Sequence, residues 1–359
     1  MKKLFSLIIS LCILFAGITA VSGQSKYQKP ELSNPDSWSI ILLPDVQSYM
    51  KNERNQPILD LMMRWITNNI ETLNIQLVLA TGDLVEHNDV MDPDYVTFDQ
   101  PGVAQWKAVS RSFDILNGKV PYVATTGNHD YSYSDMQKKN SRFKDFFPPD
   151  KNFLNQKMIR SAFINTDGIP TLENAALEFT SPDGKKYLVL NIEFGPRDAV
   201  LQWAGSVVND KRYKDHRVIL LTHSYLDSGS KHITRSDYPI TDKNEGEAIW
   251  QKLVQPASNI ELVICGHIAS PDDFTKHTGF RTDKNSAGKS VNQMLFNAQA
   301  LGGGWHGNGG DGWLRIIEFL PDGKTVKVRT FSPLFAISPT TQQHAWEKAS
   351  YNEFGFRFD

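Results

Sequence analysis

Short, wholly apolar runs alternate with amphipathic stretches along the first third of the chain. Ile40, Ile41, Leu42 and Leu43 make a run of the length of a buried strand, and it stops at Pro44-Asp45. Beyond it Ile58, Leu61, Met62, Trp65 and Ile66 fall on one helical face, with Pro57 where a first turn tolerates it. Gln76 to Ala80 repeats the strand pattern and closes at Gly82-Asp83. A second amphipathic stretch, Val103 to Leu116, predicts another helix, and Val120 to Ala124 a third strand that stops at Gly127-Asn128-His129-Asp130. This β-α-β-α-β series predicts a largely parallel inner sheet.

The pattern then changes. Tyr131 to Pro170 is polar and aromatic, and reads as an insertion of helix and loop. Two strands flank the turn residues Pro182-Asp183-Gly184. Arg217 to Leu221 and Glu261 to Ile264 are further short apolar runs, ending at Thr222-His223 and Cys265-Gly266-His267. Val291 to Phe296, Trp313 to Leu320, a Pro321-Asp322-Gly323 turn and the alternating Val326 and Val328 predict antiparallel sheet in the last quarter. No internal repeat or low-complexity linker divides the chain. The expected organisation is an N-terminal extension over residues 24–37, one α/β domain over 38–335, and a tail over 336–359 packed on it.

Composition narrows the classes of function. With 38 Lys and Arg against 40 Asp and Glu, the formal net charge is −2 and no broad cationic field is available for a polyanion, so no nucleic-acid partner is expected. Residues 1–23 carry Lys2 and Lys3, an apolar run from Leu4 to Ala16 and then small residues, the layout of a secretory signal peptide cleaved after Ala20 or Gly23. The run is shorter than the ~20 residues that span a bilayer, so no transmembrane segment is expected after its removal. The mature chain is then a secreted, periplasmic protein with 36 basic and 40 acidic residues. Only Cys265 remains, so no internal disulfide forms and the core must hold the fold.

Five strands end in a residue of metal-ligand type: Asp45, Asp83, Asn128, His223 and His267. In α/β sheets ligands bind beyond the carboxyl ends of strands, where residues distant in sequence converge. A lone Asp after a strand is ordinarily a turn or cap, and a lone His an ordinary surface or core residue. Five in succession are harder to dismiss. Carboxylate, amide oxygen and imidazole together suit Zn, Mn or Fe, and two such ions roughly 3.5 to 4 Å apart clamp the oxygens of a displacement at phosphorus.

Asp45-x-Gln47, Gly82-Asp83, Gly127-Asn128-His129-Asp130, Thr222-His223 and Gly266-His267, in this order, resemble the motifs of the calcineurin-like metallophosphoesterase superfamily over about residues 38 to 335. The resemblance implies two packed mixed β-sheets flanked by helices, two divalent metal ions, and hydrolysis of a phosphoester substrate by a metal-bound hydroxide. It also implies roles: Asp83 bridging, Asn128, His223 and His267 on one metal, Asp45 on the other, and His129 beside the leaving group. A positioned imidazole protonating a leaving oxygen contributes about 10² to 10⁴ in rate, and Asp130 is expected to orient it.

The chain departs from the family pattern in two places, both on the second metal: Gln47 and Ala269 stand where histidines are usual. Gln47 is expected to bind through its amide oxygen, through water, or as a hydrogen-bonding neighbour of a ligand, and the second site to be the weaker. His87, four residues after Asp83, and Trp305-His306 in a glycine-rich run are further candidates for substrate contact, against plain loop roles. That glycine-rich run lacks the Lys-Ser/Thr of a phosphate-cradling P-loop. A phosphomonoesterase is marginally favoured; a phosphodiesterase and a metal- or phosphoester-binding protein without turnover are the alternatives.

Overall fold

A computed structural model describes residues 27–359. The expected signal peptide, and the extension as far as residue 26, lie outside the described residues. The strands are β1 (Trp38–Leu43), β2 (Ile75–Ala80), β3 (Tyr122–Ala124), β4 (Ile159–Ile164), β5 (Pro170–Thr180), β6 (Lys186–Asn191) and β7 (Arg217–Leu221). They continue as β8 (Ile260–Cys265), β9 (Thr278–Lys284), β10 (Ser290–Phe296), β11 (Leu314–Phe319), β12 (Thr325–Phe331), β13 (Trp346–Glu347) and β14 (Phe354–Arg357).

They form two mixed sheets. In the first, of order β13-β12-β11-β1-β2-β3 with β14 also on β12, β1, β2 and β3 are parallel neighbours. The expectation of a largely parallel sheet holds for that half alone, because β11 pairs antiparallel with β1 and β12 antiparallel with β11. In the second, of order β4-β5-β6-β7-β8-β10-β9, the central β6, β7, β8 and β10 are parallel.

Alternation along the strands explains the layers. Ile40 and Leu42 of β1 face Val189, Leu221, Ile264 and Phe296 of the other sheet, while Ile41 and Leu43 face outward onto helices. That outer layer includes the helix Gln56–Asn68, which carries Pro57 in its first turn and buries Leu59, Met62, Met63 and Ile66. The helix Gly102–Asp114 joins it through Trp106, Val109 and Phe113. On the far side Leu188, Leu190, Leu220 and Val263 meet the helix Asp198–Val208. Both faces of each central strand are therefore dry, which is why these strands read as continuous apolar runs. Among the described residues no helix is long and apolar enough to cross a membrane.

Candidate metal centre

The parallel strands β1, β2 and β3 release their chains at one pole of the sandwich, and β7 and β8 release theirs there from the second sheet. Each leads into a loop that carries one of the five residues. Glycine makes the approach possible at two of them. A Cβ on Gly127 would stand 2.1 Å from Asp83 Oδ1, and one on Gly266 2.1 Å from Asp45 Oδ1. Asp83 and His267 themselves sit in the left-handed region, at φ 47° and 76°. Such conformations persist where surrounding contacts over-determine them. Here the His129 amide donates to Asp83 Oδ1 at 2.9 Å, and the His267 amide donates to Asp45 Oδ2 at 2.9 Å.

The geometry centres on one ring nitrogen. His223 Nδ1 donates to the Thr81 carbonyl at 2.7 Å, and since a carbonyl only accepts, this bond fixes the ring with Nε2 toward the cluster. Nε2 lies 3.3 Å from Asp83 Oδ2, 3.2 Å from Asn128 Oδ1 and 3.1 Å from His267 Nδ1. One proton on Nε2 cannot serve three acceptors. Asp83, His223 and His267 each offer a ligand atom within 4.8 Å of the others, the donor set that a divalent cation would complete.

Gln47 adds a second sign of fit. Its Nε2 donates to Asp83 Oδ2 at 3.0 Å, and its buried Oε1 has no hydrogen-bond partner. Orphaned buried acceptors are uncommon and call for an explanation. Asp45 is differently placed. Oδ1 accepts from the Thr81 hydroxyl at 2.7 Å and Oδ2 from Asn297 Nδ2 at 2.6 Å, besides the His267 amide. Ala269 brings no donor to the pole.

Electrostatics follow from packing four titratable groups out of water. Burial works against the His223 imidazolium, but Asp83 and Asp45 outweigh it and raise the group to about 9. Burial would raise Asp83 as well, yet the charges of His223 and His129 hold it well below the carboxylate range. Asp45, pushed up by burial and by Asp83 against the pull of His223, reaches about 7. His267 falls to about 3, through burial and then repulsion from His223, and is neutral.

His129 is half-buried beside the cluster. Its Nδ1 donates to the Glu86 carbonyl at 3.0 Å and has the Tyr133 hydroxyl 2.5 Å away, while Nε2, 3.4 Å from the same hydroxyl, is the freer nitrogen. Although burial disfavours its charge, Asp83 and Glu86 raise its pKa. Asp130 does not orient this ring, contrary to the sequence reading. Its Oδ1 accepts from the Leu84 and Val85 amides at 2.8 and 3.1 Å, and its Oδ2 from the Gly127 amide at 2.8 Å. With three backbone donors satisfied, this carboxylate ties the loop after β2 to the loop after β3.

Among the described residues no hydrogen bond or ring contact ties Trp305 or His306 to the cluster. They sit exposed on the short turn Gly304–His306, and only the His306 backbone is engaged, accepting from Arg54 at 3.2 Å. His87 does lie on the rim, its ring 4.3 Å from Phe98 and 5.9 Å from Tyr133. Sequence reasoning missed Asn297, Tyr133 and Phe194. Asn297 follows β10 as the other five follow their strands, so the same strand-end signal could have found it. Phe194, which packs edge-on against His223 at 5.7 Å, carries no such signal.

With this geometry in hand, the similarities to known proteins become informative. A model of the family described as calcineurin-like phosphoesterase matches residues 39–271. "Uncharacterized protein YvnB" of Bacillus subtilis (strain 168) is 29% identical over 302 residues, 83% of this chain and 20% of that protein. The chain thus spans about a fifth of the length of the curated relative it matches. Among solved structures, "GAP50 the anchor in the inner membrane complex of Plasmodium" aligns over 90% of this chain and 89% of that one, at a TM-score of 0.42 and 10% identity.

Proposed function

This chain belongs to the calcineurin-like phosphoesterase family, and from that premise we propose that it is an exported metal-dependent phosphoesterase acting on a phosphomonoester. The observation that carries the reading is the convergence of Asp83 Oδ2, Asn128 Oδ1 and His267 Nδ1 on His223 Nε2. These four side chains would hold one divalent ion. Asp45 and Asp83, with the free amide oxygen of Gln47, would hold a second and weaker one. Bound there, Zn, Mn or Fe supplies Lewis-acid charge to the phosphoryl oxygens and makes water a better nucleophile at neutral pH.

The chain's own groups do the rest. The Glu86 carbonyl keeps the His129 proton on Nδ1 in the neutral ring, so Nε2 is the position that gains and gives a proton. In the imidazolium favoured by Asp83, Nε2–H can donate to the ester oxygen. As the water oxygen bonds to phosphorus and the phosphorus–oxygen bond to the alcohol breaks, that proton passes to the alcohol. The attacking water gives up a proton to solvent, and Nε2 takes one back from solvent before the next turnover. Phe194 shields the imidazole pair from solvent on one side.

A specific observation favours one rival. Asp45 already accepts three protein hydrogen bonds and position 269 offers no imidazole, so a protein that binds metal and phosphoester without turnover is the second reading. Release of p-nitrophenol by the metal-loaded protein from p-nitrophenyl phosphate and from bis(p-nitrophenyl) phosphate distinguishes them. Faster monoester hydrolysis supports the proposal, faster diester hydrolysis makes the protein a phosphodiesterase, and none from either leaves the binding protein. Export rests on the leader alone. N-terminal sequencing of protein from its native cells should find Val21 or Gln24 first; Met1 retained on cytoplasmic protein would overturn it.

A further inference from the structure

Beside the metal centre lie two basic side chains that the proposed chemistry does not use. Lys51 is 5% exposed, and among the described residues its ammonium makes no hydrogen bond or ion pair. Buried lysines are rare unless paired, because an uncompensated charge out of water is costly. A lysine that merely reached past apolar surface would present its head to bulk solvent. The ammonium of Lys51 is not sealed off, so its tip keeps contact with solvent although the rest of the residue is buried. The second group is His87, whose Nδ1 is buried with no partner.

One loop brings the two together. Asp99 and Gln100 donate their amides to the Lys51 carbonyl at 3.0 and 3.2 Å, and the adjacent Phe98 packs its ring on His87 at 4.3 Å. Burial lowers the pKa of the His87 imidazole, and the nearby charges of His129 and Lys51 lower it further, so the ring meets an anion chiefly as a hydrogen-bond donor and Lys51 supplies the charge. Two carboxylates face the same imidazole, Glu86 and Asp94. Asp94 is engaged within the loop, accepting from the Val96, Thr97 and Phe98 amides and from the Thr97 hydroxyl. Neither carboxylate pairs with Lys51. Tyr133 joins this pair to the centre, its hydroxyl 2.5 Å from His129 Nδ1 and its ring 5.9 Å from that of His87, so His87 lies beside the imidazole proposed to face the leaving group.

We propose that Lys51 and His87 form an anion subsite, and that the substrate is a phosphoester whose leaving group carries a second anionic group, a carboxylate or a phosphate. This rests on the phosphoesterase reading for the position of the leaving group, but binding can be measured without turnover. A single charge-assisted hydrogen bond of this kind is worth at least about tenfold in affinity.

The test is calorimetric titration of the metal-loaded protein with three stable analogues: phenylphosphonate, 4-carboxyphenylphosphonate and 1,4-phenylenediphosphonate. One or both of the doubly functional compounds should bind at least about tenfold more tightly than phenylphosphonate. The larger gain assigns the second group as carboxylate or phosphate. Lys51→Gln should abolish that ratio and Lys51→Arg should keep most of it, with thermal melts confirming that each variant is folded. Equal affinities for all three in the wild-type protein would overturn the proposal without any variant, as would a ratio that survives in folded Lys51→Gln. Absence of hydrolysis with the ratio intact would sink the phosphoesterase reading and leave the subsite standing.

Discussion

His129 and Asp83 occupy neighbouring loops but should fail differently when changed. His129→Ala removes a group proposed to act on the leaving oxygen, so turnover should fall at least about tenfold and up to about 10⁴-fold, with metal content nearly unchanged. Loss of bound metal in the same variant would make His129 a ligand. Asp83→Asn removes the carboxylate shared by Gln47, His223 and the His129 amide, and should lower metal occupancy together with activity. His223 gives a pH signature. Its pKa is raised from 6.5 to about 9 in the metal-free fold, so its ion pair with Asp83 stabilises that fold fully below about 6.5 and is lost as pH rises through about 9. Metal requires the same nitrogen unprotonated. Binding at pH 7 should therefore release about one proton from His223, and apparent affinity should climb up to about tenfold per pH unit until about 9. Calorimetry in buffers of different ionisation enthalpy checks this, and no proton release at pH 7 would contradict the assigned charge state.

Strand ends set the site at the level of elements, and glycine governs how closely they approach. Gly127→Ala would drive a Cβ into Asp83, at 2.1 Å from Oδ1 and 2.4 Å from N. It should destabilise the fold by about 1–3 kcal/mol and strip the metal. Gly205→Ala, in the helix Asp198–Val208 where a Cβ meets nothing within 4 Å, should be neutral or stabilising by up to about 1 kcal/mol. Denaturant midpoints and metal analysis of the two variants separate a packing constraint from a generic glycine effect. The same elements explain what sequence could reveal. β1, β2, β7 and β8 are buried on both faces over their last four residues, so each closes in an apolar run whose end marks a functional loop. β4 and β9 are sheet edges with mixed exposure, and neither β4, inside the segment read as helix and loop, nor the polar β9 stood out. That β11 inserts antiparallel beside β1 is a long-range pairing, which local periodicity does not encode. Asp130 was misjudged for a related reason: adjacency to His129 in sequence suggested a partner, but its carboxylate meets the amides of Leu84, Val85 and Gly127 instead.

Across the whole molecule, two sheets from different parts of the chain meet at one pole, and the centre they form is asymmetric. Two imidazoles, an amide oxygen and Asp83 crowd one position, whereas the second ion proposed beside it would be left with Asp45, Asp83 and the Gln47 amide. Amide oxygen donates less charge than imidazole, so the first ion should bind tightly and the second weakly, and two equally tight sites would point to a ligand not yet recognised. The central claim is that this cluster holds metal for phosphoester hydrolysis. The most direct measurement is phosphate release from phenyl phosphate as the metal-free protein is titrated with Zn, Mn or Fe, bound metal being counted at each point. Hydrolysis should be absent without metal, should rise with occupancy of the sites and should vanish again on chelation. A protein that fills these sites and still releases neither phosphate from a monoester nor the alcohol from a diester, or one that hydrolyses equally well when stripped of metal, would contradict it.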